Sequence, residues 1–77
     1  KNPEEIEANY YHAFSLYQLK DYETARNILE KVIKENNKHA LAYFYLYKIA
    51  IEEKEAENIS YYESKILELD DSLISKK

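Results

Sequence analysis

Along the chain, stretches in which apolar side chains recur every three or four positions alternate with short polar interruptions. Asn2-Pro3-Glu4-Glu5 has the make-up of a helix start. Asn2 can cap, Pro3 suits the first turn, and two carboxylates sit at the positive end of the helix dipole. A first helix is expected from about Pro3 to Leu19. Its apolar residues fall in two stripes, Ile6, Tyr10, Ala13, Phe14, Tyr17 and Ala8, Tyr11, Leu16, Leu19, so it should have neighbours on two sides. Lys20-Asp21 interrupts the pattern and Asp21 is a fair cap. A second helix follows, with Tyr22, Ala25, Ile28, Leu29, Val32 and Ile33 on one face and Arg26, Asn27, Glu30, Lys31 and Lys34 on the other. Asn36-Asn37 is expected to end it, because asparagine tolerates the left-handed backbone that glycine would otherwise supply.

From about Lys38 to Glu53 a third helix is apolar nearly all the way round, which places it at the centre of the packing. The polar run Glu52 to Glu57 reads as a turn or a solvated bridge. Beyond it Ile59, Tyr62, Ile66, Leu69 and Leu73 recur at helical spacing, giving a fourth helix to about Ser72. One long helix from Lys38 onward is the competing reading, disfavoured because uncapped helices of that length belong mostly to coiled coils.

Composition narrows the picture. Seventy-seven residues make a single domain, 1–77, that buries only about 60–65% of its unfolded surface. The chain has no cysteine and no glycine, which removes disulfides, thiolate metal sites and glycine-built phosphate loops. The net charge is −4 and Arg26 is the one arginine, so there is no basic stripe and nucleic acid is not expected as a partner. The longest apolar run, Ala40 to Ile51 with Lys48 within it, is too short to span a bilayer, and no signal peptide is visible. The chain starts at Lys1 and contains no methionine, which suggests a processed chain or a piece of a larger protein. Localisation is left open.

Candidate chemistry is sparse. His12 and His39 are the two histidines, they fall on different helices, and neither has a Glu-x-x-His or His-x-x-x-His partner, so no metal is expected. Glu52, Glu53, Glu55 and Glu57 point in different directions along a helix and serve to solvate a turn. The serines lack a base and an acid in any order that suggests a triad. The expectation is no enzyme and no cofactor.

A shift of 34 residues sets Ala8 on Ala42, Tyr10 on Phe44, Tyr11 on Tyr45, Leu16 on Ala50, Ala25 on Ile59, Val32 on Ile66 and Ile33 on Leu67, apolar on apolar each time. Lys20-Asp21-Tyr22-Glu23-Thr24-Ala25 resembles the G-D-Y-x-x-A turn of the tetratricopeptide repeat (TPR) family, with Lys20 in the glycine place. Ala13 and Ala25 match the small residues that let the two helices of a unit approach. Leu67-Glu68-Leu69-Asp70-Asp71 resembles the L-x-L-D-P that closes a unit. The first unit would run from about 6 to 39 and the second from about 40 to 73. Asn9 and His12 depart from the pattern in the first, and Tyr47, Ile59 and Ile66 in the second, where their bulk should push the last two helices apart.

The resemblance implies an all-α fold of two antiparallel helical hairpins stacked as a fragment of a right-handed α-solenoid. It also implies a concave groove for an extended peptide or a helix. By position the groove is Glu7, Tyr10, Phe14, Tyr17 and Gln18 with Leu41, Phe44, Lys48, Ile51 and Glu52. Family members that grip chaperone tails use lysine and asparagine there. Tyr10, Phe14 and Tyr45 stand at those places, so that ligand is not expected. An apolar protein segment with a basic residue would suit Glu7 and Glu52 better, within a larger scaffold or assembly protein. The alternative is a structural repeat whose groove is filled by its parent chain or by self-association.

Overall fold

The computed structural model describes residues 2–74, and among them there are four α-helices and no strand. They are α1 (Pro3–Gln18), α2 (Tyr22–Glu35), α3 (Ala40–Glu53) and α4 (Ala56–Asp70), followed by a 3-10 turn, Asp71–Leu73. Asn2 caps α1, its Oδ1 accepting from the Glu4 N–H at 2.9 Å, and Asp21 caps α2 through the Thr24 N–H. Three residues connect α1 to α2 and two connect α3 to α4, which returns each second helix along the first. The most extensive packing is α3 on α4 and α1 on α2, while α2 joins the two pairs through α3. The core is one cluster, centred on Ala13, Ala25, Leu29, Val32, Ala42, Leu46, Ile49, Ala50 and Ile66.

The 34-residue period of the sequence is also a period of the backbone hydrogen bonds. The Asp21 N–H reaches Leu16 O at 2.9 Å and the Lys20 N–H reaches Tyr17 O at 2.9 Å. The Glu55 N–H likewise reaches Ala50 O at 3.0 Å and the Lys54 N–H reaches Ile51 O at 3.2 Å. Both are Schellman ends, with the C′ residue left-handed. Lys20 has φ 67° and Lys54 φ 58°, the two positive φ values among the described residues. A second device recurs at the same interval. The side-chain oxygens of Asn2, Asn36 and Asp70 each accept from the N–H two residues on, at Glu4, Lys38 and Ser72.

Two expectations and one alternative reading are corrected here. Asn36 ends α2 in extended backbone, φ −142°, so the left-handed positions are lysines and not the asparagines. The chain breaks at Lys54-Glu55, which removes the single long helix. The expected loosening of α3 against α4 is also missing, since that pair packs at least as extensively as α1 on α2. Volume is redistributed: Ile66 is fully buried, and Ala50, 2% exposed, makes room where the first unit has Leu16.

Lysine in the left-handed region bears a steric cost that glycine avoids. Lys20→Gly and Lys54→Gly should each raise stability by about 0.5–1 kcal/mol, a few degrees in a thermal melt followed by circular dichroism. An unchanged or lowered midpoint would show that these turns carry no strain.

Candidate functional site

α3 delivers its tyrosines to different neighbours because residues two apart on a helix diverge. Tyr43 is buried towards α4, with its ring 6.3 Å from that of Tyr62. Tyr45 turns the other way, into α1. Its ring lies 6.2 Å from Tyr10, 5.4 Å from Phe14, 5.2 Å from Tyr17 and 5.2 Å from Phe44. Three of these four contacts are edge-to-face, the arrangement that ring quadrupoles favour. Tyr22, at the start of α2, extends the cluster by packing 5.6 Å from Tyr17.

Of the ten groove residues expected from the sequence, the structure gathers Tyr10, Phe14, Tyr17 and Phe44 around Tyr45. Lys48 joins them, its Nζ 5.2 Å from the centre of the Phe44 ring. Glu52 lies close enough to Tyr17 to oppose ionisation of its phenol. Leu41 and Ile51 are exposed at 41% and 44%, and Gln18 is exposed without a described contact to the cluster. Tyr10 needs correction as a groove wall. It is 6% exposed and forms the floor beneath Tyr45, where burial first, then Tyr45, Tyr11 and Glu7, push its pKa up to about 12. Tyr17 is raised for the same first reason, with Tyr22, Glu52 and Tyr45 adding to it.

Glu7 is diverted as well. Its Oε2 lies 3.3 Å from Nε2 of His39. His39 caps α3, its buried Nδ1 accepting from the Ala42 N–H at 3.2 Å, so in the neutral ring Nε2 carries the proton. The Glu7 carboxylate stands at ion-pair distance but off the line of a hydrogen bond, and Nε2 is otherwise without a partner. Glu7, His39 and Leu41, with Asn36, Lys38, Ala40 and Asp70, line an open depression of about 350 Å³. Arg26 is paired with Glu53, which ties α2 to α3.

Sequence reasoning missed Tyr45 as the hub and Tyr22 as its extension. A signal for Tyr45 was present: it repeats Tyr11, and the copy that meets another unit is the one that becomes buried. Tyr11 is 61% exposed, while Tyr45 is half-buried. No group of three or more potential ligands for a metal is found among the described residues. No described helix is long and apolar enough to cross a membrane.

Compared with known proteins, the chain matches no family model, no curated sequence and no solved structure.

Proposed function

We propose that the chain is a TPR-like module of two stacked helical hairpins that acts without catalysis, by binding a protein segment across the aromatic face of α1 and α3. The observation that carries this reading is the Tyr45-centred cluster. Phe14, Tyr17 and Phe44 remain half-exposed around it, and the exposed Leu41 and Ile51 continue it along α3. Apolar surface of this kind, with few hydrogen-bonding groups, suits an apolar peptide or one face of an amphipathic helix. Glu52 beside Tyr17 adds a place for a basic side chain of the partner, which could pair with the carboxylate and stack on the ring. Glu7 contributes less, since His39 engages it.

The test starts from a displayed library of random peptides selected against the immobilised protein, with wild type and variants then titrated against one synthetic winner. Winners should combine two or three large apolar residues with arginine or lysine. Phe44→Ser with Ile51→Ser should weaken binding by about 10-fold or more, because truncating a central apolar anchor costs more than 1 kcal/mol. Neither side chain belongs to the fully buried core, so most of the helical signal should persist, whereas a serine at the buried Tyr10 would confuse binding with unfolding. Tyr61→Ser on α4 should bind as wild type does. Equal binding by the Phe44/Ile51 variant would remove the face from consideration.

A further inference from the structure

The 34-residue register makes it possible to ask, position by position, what the junction between the two units buries and what the chain places at the same positions on its outer faces. In α3, Ala42, Leu46 and Ile49 are at most 1% exposed, while their equivalents in α1, Ala8, His12 and Ser15, are exposed. In α2, Leu29 is wholly buried, and its equivalent in α4, Glu63, is exposed. α3 has the first unit on that side and α2 has the second, whereas α1 and α4 have no described neighbour there. These positions therefore mark the two halves of the junction.

At its driest points the chemistry changes. Where the junction has Leu46, Ile49 and Leu29, the outer faces have His12, Ser15 and Glu63. Exposed apolar side chains adjoin them, Tyr11 on α1, Leu19 at its end and Leu67 on α4, 49–76% exposed. A copy stacked by the same junction would have to strip water from the Glu63 carboxylate with one imidazole and one hydroxyl opposite it. Desolvation of that kind cancels or exceeds the attraction of the pair. Terminal units of repeat arrays stay soluble by carrying a polar outer face.

We infer that the outer faces of α1 and α4 are caps, set by His12 and Ser15 on one side and Glu63 on the other, which keep a second copy from stacking end on end. The three polar side chains act as a gate on surfaces that otherwise retain the shape and apolar margin of the internal junction. The inference rests on the repeat register and not on peptide binding at the aromatic face, and the two fail separately.

Sedimentation from about 10 µM to 1 mM at neutral pH tests it, that range bracketing the affinities small interfaces reach. The wild type should sediment as a 9.2 kDa monomer throughout. His12→Leu with Ser15→Ile rebuilds one half of the junction and Glu63→Leu the other. Each variant alone should stay monomeric, and an equimolar mixture should form a one-to-one complex at least about 10-fold tighter than either variant's self-association. All three changes in one chain should give mass that climbs with concentration, as a heterologous contact that does not close must. The sites are exposed, so circular dichroism should report folded variants; were the doublet to lose helicity, His12→Leu alone mixed with Glu63→Leu reads the same contact. Concentration-dependent association of the wild type overturns the inference. So does a mixture of folded variants that stays monomeric at 1 mM, or one no tighter than the variants alone.

Discussion

Leu29→Ala should cost the domain about 3 kcal/mol, whereas Glu63→Ala, at the same place in the second unit, should change stability by no more than about 0.5 kcal/mol. Leu29 has no exposed surface, and Glu63 is exposed. α2 is the wedge of the fold: it packs along α1, its own partner, and it carries most of the contact with α3. Truncating Leu29 removes three carbons where neither side can collapse freely, so the transfer loss and the cavity add. Single domains of this length are stable by about 4–11 kcal/mol, so the loss is a large fraction of the total. Urea midpoints at constant m-value would measure both variants. The aromatic face should suffer as well, because the backbones of α1 and α3 approach each other less than either approaches α2, which holds them in line. Equal effects at the two positions would mean that the junction is not where the register puts it.

The first two helices were legible because every level of the sequence agreed on them. The spacing of Ile6, Tyr10 and Ala13, the caps Asn2 and Asp21 and the amphipathic run of α2 recur in the structure within one residue of the expected bounds. The break between α3 and α4 was harder, since no glycine or proline marks it. Lys54 takes the left-handed conformation that Lys20 takes 34 residues earlier. Local propensity does not reveal that, and the repeat register does. The groove residues were legible as a face but not as a surface. Position in a repeat placed Tyr10, Phe14, Tyr17 and Phe44 together, yet which ring is floor and which is wall depends on how far Tyr45 leans across from α3. That lean is a tertiary fact. The diversion of Glu7 to His39 is another, because the two are 32 residues apart and meet only once α3 has docked.

Alkaline pH should unfold the domain between about pH 10 and 12, through the tyrosines that make its core. Burial raises Tyr10 from 10.0 to about 12 and raises Tyr43, Tyr62 and Tyr17 in the same direction. Below pH 10 these phenols are protonated in the folded and unfolded chains alike, so they contribute no slope. Above it the unfolded chain releases protons that the folded chain retains, and stability falls as pH rises, by up to about 1.4 kcal/mol per pH unit for Tyr10. Tyr10 alone, with 6% of its surface exposed, is then worth about 3 kcal/mol across the window. Tyr43 and Tyr62 are also buried and add with the same sign; the half-buried Tyr17 adds less, since solvent screens it. Helicity and the 295 nm absorbance of phenolate should therefore change together at high pH. Tyr10→Phe keeps the ring against Tyr45 and His39 and removes the ionisation, so its urea midpoint should fall less steeply between pH 10 and 12 than that of the wild type. Parallel midpoints in the two proteins would show that the Tyr10 hydroxyl stays in water. The floor of the aromatic face would then be wet, and the apolar partner proposed for it would lose its main source of affinity.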